Sequence, residues 1–229
     1  MTPPTPFALL AVVTAIGTAP AIGQQIAVDR GTLDIRVSGT LVGREEFAIQ
    51  RGRAGAGTGF TITSSVVYPA DRPTRRLVSV VELDTDSLAA ASQFEVSDGD
   101  VLRVLMRFGP RRVTVRTLSS TGESAREYPS NAQAIIVDDS AFAALALLPQ
   151  AVTTARGFPL RGGAGTDVSI SDRGAGTVTV HGDRRPAHHI TLSVGSQSRE
   201  IWYGEHGKLL KVEIPDRHLV AERVPESAN

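Results

Sequence analysis

The chain has 229 residues, 24 basic and 24 acidic side chains, and no Cys. This even balance excludes the one-sided basic surface of a nucleic-acid binder, and 41% hydrophobic against 21% charged residues excludes a disordered polymer. Lacking Cys, the fold has no disulfide or lipid-attachment thiol to draw on and must rest on apolar burial and sheet hydrogen bonds.

Residues 1–23 read as an export signal. Phe7 to Ile16 is an apolar run too short for a permanent bilayer anchor, and Ala21 and Gly23 suit the small positions of a cleavage site before Gln24. No Lys or Arg precedes Arg30, a departure from the usual positively charged start. The expectation is an exported protein, periplasmic or extracellular, with one domain over 24–229 and no transmembrane segment after cleavage. A chain of this size can bury about 70% of its unfolded surface around a single core.

The mature chain then reads as strand after strand. Leu33, Ile35 and Val37 alternate with polar residues, and Leu41 to Arg51 follows, with Gly43 as a bulge or close-approach point. Gly52 to Gly59 reads as a flexible connection before a long strand from Phe60 to Tyr68. Further strands are expected at Leu77–Leu83, around Phe94 and Val96, at Leu102–Phe108 and Val113–Leu118, and on to Tyr128. Turn signals every 8 to 12 residues or so mark a large antiparallel sheet.

From Ala141 to Leu148 every residue is apolar, with Asp138, Asp139 and Ser140 before it and Pro149 after. That pattern predicts a short capped helix over about 139–148. A helix apolar all round must be surrounded by protein, and the hollow of a curved sheet is the natural place. Gly157 to Gly165 reads as irregular and mobile. Strands are expected again at Asp167–Ser171 and Thr177–His181, and His189 to Val224 reads as a closing meander. Its strands are Ile190–Val194, Arg199–Tyr203 with the chain's only Trp, Leu210–Ile214 stopped by Pro215, and Leu219–Val224.

The motifs that could carry chemistry are weak. The glycine clusters run into strands rather than helix N-termini and lack the Gly-Lys-Ser/Thr ending of a phosphate loop. His181, His188 and His189 crowd one loop, but adjacent His188 and His189 point to opposite faces of a strand, so no metal site is expected. Asp84, Asp86, Asp138 and Asp139 sit where Asp serves turns and caps. No nucleophile elbow is present, so the chain does not read as an enzyme, and no cofactor is implied.

Three stretches stand in order: GTLVGREEFAI (Gly39–Ile49), AIIVDDSAFAALALL (Ala134–Leu148) and REIWYGEHGKLLKVEIPDRHLVAER (Arg199–Arg223). Together they resemble a family of bacterial exported β-rich proteins similar to the outer-membrane lipoprotein carrier superfamily. The resemblance implies a half-open antiparallel barrel wrapped around a helix, with a hollow that takes a lipid or acyl chain.

The fold expectation is therefore all-β: a large curved antiparallel sheet, or half-open barrel, around one short buried helix. Candidate residues lining a ligand cavity are Phe142, Leu145, Leu148, Met106, Phe108 and Trp202. The leading function is non-enzymatic binding of a lipid or other apolar ligand. The alternative is an envelope interaction or assembly module with a filled core and a protein partner, and a hydrolase ranks third. An open space around Phe142 favours carriage, and a filled one favours scaffolding.

Overall fold

The computed structural model describes residues 26–52, 59–97, 101–131, 133–149 and 151–225. The export signal over 1–23, and most of the glycine connection at 52–59, lie outside the described residues. Alternating apolar and polar residues give a first run of strands. These are β1 (Ile26–Val37), β2 (Thr40–Arg51), β3 (Phe60–Tyr68), β4 (Arg75–Leu83), β5 (Ala89–Ser97), β6 (Val101–Phe108), β7 (Arg112–Ser119) and β8 (Gly122–Pro129). After the short β9 (Ala134–Ile136) come β10 (Thr154–Phe158), β11 (Thr166–Val180), β12 (Asp183–Val194), β13 (Gln197–Tyr203), β14 (Leu209–Ile214) and β15 (Leu219–Arg223).

All fifteen belong to one sheet, in the order β8-β7-β6-β5-β4-β3-β2-β1-β15-β14-β13-β12-β11-β10-β9. Two meanders are therefore joined where β1 pairs with β15, for example Ile35 opposite Ala221. Every pairing is antiparallel except β9 with β10, which is parallel. The end strands β8 and β9 do not pair with each other, so the sheet is not closed into a barrel. Its β9 end instead reaches back against β5.

One face of this sheet is the core face. Along β2, Gly43, Glu45, Phe47 and Ile49 are buried while Arg44 and Glu46 are exposed, which is the two-residue period of a pleated strand. Leu33, Ile62, Leu77, Phe94, Leu192 and Ile201 are all at most 1% exposed and belong to one apolar cluster. Each such side chain contributes about 1.5–3 kcal/mol by leaving water.

The helix expected over 139–148 is not there. The stretch carries only one 3-10 turn, Ala143–Ala146. Its burial is nonetheless nearly complete: Ala141, Phe142, Ala143 and Leu145 are at most 2% exposed. The reason lies in the backbone hydrogen bonds. The N–H groups of Phe142 and Ala143 are taken by the carboxylate of Glu45, and the carbonyls of Ser140 and Leu145 by the hydroxyls of Tyr68 and Tyr203. An eight-residue helix is marginal alone, and here side chains of the sheet satisfy backbone groups at both ends of the 3-10 turn without a longer helix. Residues 137–149 are thus a strap laid along the core face.

Two further expectations are corrected. Gly157 to Gly165, read as irregular and mobile, begins inside β10, and Phe158 and Leu160 are fully buried. Phe158 meets Phe108 edge-on at 5.5 Å, and Gly162 presses on β6 and β7, where a Cβ would stand 2.7 Å from Val115 Cγ1. The segments expected at 167–171 and 177–181 form one fifteen-residue strand, β11, with an irregularity between Asp172 and Gly174. It pairs with β12 down to the turn at His181 and Gly182, both at positive φ as such a two-residue turn demands.

Candidate functional site

A set of buried polar groups lies where the strap crosses β2, β3 and β13. Glu45 sits on the apolar face of β2 and is fully buried. Its Oε2 accepts the Phe142 N–H at 2.6 Å and its Oε1 the Ala143 N–H at 3.1 Å. The Ser64 hydroxyl, 3.0 Å from that of Ser79, also bonds to it. Burial pushes the Glu45 carboxyl up from its ordinary 4.5 to about 7, against the lowering pull of these hydrogen bonds.

Asp138 opens the strap. Its Oδ1 accepts the Ser140 N–H at 2.8 Å and the Ser140 hydroxyl, and its Oδ2 accepts the Leu160 N–H at 3.0 Å. The side chain therefore ties the strap's entry to the loop behind β10, rather than capping a helix. Burial raises its pKa as well, and nearby Asp139 adds to that.

Asp139 turns the other way. Its Oδ1 accepts Arg199 Nε at 3.0 Å and Nη2 at 2.7 Å, and its Oδ2 accepts Arg217 Nη1 at 2.6 Å. Arg199 shares the core face of β13 with Ile201 and Tyr203. Tyr68 donates to the Ser140 carbonyl at 2.9 Å and Tyr203 to the Leu145 carbonyl at 2.5 Å. Burial raises both phenols, and for Tyr68 the charges of Glu45 and Asp138 act in the same direction. Side chains of β2, β3 and β13, with Arg217 from the 3-10 turn after β14, thus hold the strap at six backbone or side-chain points.

Tyr203→Phe measures one of these points. It leaves the buried Leu145 carbonyl without its donor, so unfolding should be easier by about 1–3 kcal/mol. Denaturant midpoints at constant m-value would register this, and an unchanged midpoint would mean that the hydroxyl contributes nothing.

The residues expected to line a cavity are divided by the fold. Phe142, Leu145, Leu148 and Met106 lie in the main core, and Phe108 packs half-buried against it. Trp202 lies elsewhere: it faces away from Ile201 and Tyr203 and packs on a second, smaller cluster of Val178, Val180, Ala187 and Leu210. There it stacks on His189 at 4.8 Å, with Lys211 Nζ 5.6 Å from the ring. His189 bonds to Glu200 at 2.7 Å, and His188 to Asp172 at 2.9 Å. Phe142 itself is 0% exposed and belongs to the main apolar cluster. A groove of about 440 Å³ lies over β4 to β7, lined by Val80, Leu105, Met106 and Arg107 among others and by no residue of the strap. Among the described residues no group of three or more His, Cys, Asp or Glu is placed to hold a metal, and no helix is long and apolar enough to cross a membrane.

Glu45 and Arg199 are the members that sequence reasoning passed over. The signal was present: each falls on the apolar side of a strand alternation, in Gly43-x-Glu45-x-Phe47-x-Ile49 and in Arg199-x-Ile201-x-Tyr203. A charge in such a place requires a buried partner. The chain matches no protein-family model, no curated protein and no solved structure.

Proposed function

We propose that the protein is a non-enzymatic exported holder of an apolar ligand, with the strap occupying the hollow until a lipid or acyl chain takes its place. The observation that carries this reading is the strap's manner of attachment. Val137 still donates its N–H to the Phe158 carbonyl of β10, but residues 138–149 are covered by the sheet and held through side chains, those of Glu45, Tyr68, Tyr203, Arg199 and Arg217, as a bound peptide would be. The apolar side chains they bury, Phe142 and Leu145 foremost, are what an acyl chain would replace, and each buried methylene of such a chain gains about 0.8 kcal/mol.

The test combines extraction and titration. Organic extracts of the purified full chain should contain acyl species by mass spectrometry. Delipidated protein should bind the neutral fluorophore N-phenyl-1-naphthylamine saturably at one site. Hydrogen exchange should then show the amides of Phe142 and Ala143 losing protection while those of β1 and β15 keep it. Clean extracts together with a non-saturating titration would rule the reading out.

A second reading is favoured by the burial of Phe142 within the main apolar cluster and by β8. That end strand is exposed on both faces for nearly its whole length, and its outer backbone edge is one that a partner's strand could extend. Recovery of one envelope protein crosslinked through β8, with no ligand in the extracts, would select the assembly module instead.

A further inference from the structure

The strap's rim holds more positive charge than its own carboxylate engages. Arg199 is buried, its side chain 6% exposed, and it spends Nε and Nη2 on a single oxygen of Asp139. Its third nitrogen, Nη1, is buried with no hydrogen-bond partner. Arg217, with its side chain 47% exposed, closes on the other oxygen of the same carboxylate from the solvent side. Two guanidinium groups therefore face one acid, at the place where the apolar strap begins. Leaving a guanidinium N–H unpaired in a buried place is costly, and an added acceptor there would relieve it.

We infer that Arg199 and Arg217 form the head-group site for an anionic amphiphile, a carboxylate or phosphate joined to an alkyl chain, and that Asp139 occupies the place of that anion while the strap is seated. The inference rests on the reading that the hollow takes an apolar ligand, and it specifies the class. Asp139 is the strap's own residue, so lifting the strap removes the carboxylate and frees both guanidiniums in one motion. The incoming ligand supplies an acid in its stead, and its chain enters where Phe142 and Leu145 lay. A carboxylate or phosphate accepts from Arg through paired N–H groups, which a neutral hydroxyl cannot match. Asp138, the neighbouring acid, does not compete for this site, since its oxygens are held by Ser140 and Leu160.

The test titrates delipidated full-length protein at pH 8 with decanoate, decyl phosphate, decanol and inorganic phosphate. It is repeated for Arg217→Gln, Arg199→Gln and Asp139→Asn, with folding checked by circular dichroism. Both alkyl acids should bind at least about tenfold more tightly than decanol. Arg217→Gln should erase most of that preference while sparing decanol, and this half-exposed position keeps the test alive if Arg199→Gln does not fold. Asp139→Asn should tighten the acids several-fold. Equal binding of decanol and decanoate, or acids left unaffected by Arg217→Gln and Asp139→Asn, overturns the head-group site and leaves the apolar-ligand reading standing. Inorganic phosphate binding as tightly as decyl phosphate overturns the amphiphile class. No binding of any alkyl probe overturns the apolar-ligand reading as well.

Discussion

Glu45→Gln is expected to remove a fall in stability that the native protein shows between about pH 4.5 and pH 7. The sign follows from the direction of the shift. Burial raises the Glu45 carboxyl from 4.5 to about 7, so across that interval the folded chain holds a proton that the unfolded chain has released. Stability is then full below the unfolded value and is lost as the pH climbs through the folded one. At about 1.4 kcal/mol per pH unit the loss attributable to Glu45 is on the order of 3 kcal/mol. Gln is close in shape and carries no ionisation, so its unfolding free energy should run nearly level over the same range, apart from whatever slope Asp138 contributes with the same sign. Gln also places an NH2 group, which only donates, where the acid has its second oxygen, so one of the Phe142 and Ala143 N–H groups loses its acceptor. The variant should therefore be somewhat weaker than the native protein at pH 4.5 and should gain on it steadily toward pH 8. Urea unfolding at half-unit steps of pH reads this directly. Parallel profiles for the two proteins would mean that Glu45 does not titrate as its burial requires.

How the chain announces this arrangement differs between sheet and strap. Strand positions could be read because a sheet with one covered face forces an apolar residue at every second place, and slipping by one would turn Phe47 and Ile49 outward. The meander ending at β15 could be read the same way. What the alternation leaves open is which distant strands meet: nothing local says that β1 pairs with β15, nearly the whole chain apart. The strap shows a different limit. Eight apolar residues in a row specify burial and carry no period, so helix and irregular strap look alike from Ala141 to Leu148. The choice is made by Glu45, Tyr68 and Tyr203, which are 58 to 98 residues from the groups they bind. Trp202 illustrates the converse. It alternates with Ile201 and Tyr203, and that parity alone assigns it to the face opposite Phe142.

Phe142→Ala should give the largest loss of stability of any single change in the strap, and it should also open the hollow. The ring is 0% exposed and sits among the main core residues, and removing a buried Phe side chain costs about 3–5 kcal/mol in transfer and cavity terms together. The residue's backbone N–H still reaches Glu45, so the strap keeps its polar grip while losing its chief apolar anchor. Two consequences follow from that separation. The denaturant midpoint should fall with the m-value unchanged, since the same surface is exposed on unfolding. The void left behind is lined by apolar side chains, and such a space stays dry and accepts apolar guests. N-phenyl-1-naphthylamine should therefore bind the variant more tightly than the native chain, and bound probe should return part of the lost stability in proportion to its occupancy. A variant that is destabilised but binds the probe no better would mean that the sheet collapses onto the gap. In that event the strap is a fixed part of the core rather than the occupant of an exchangeable site, and the assembly reading built on β8 becomes the better one.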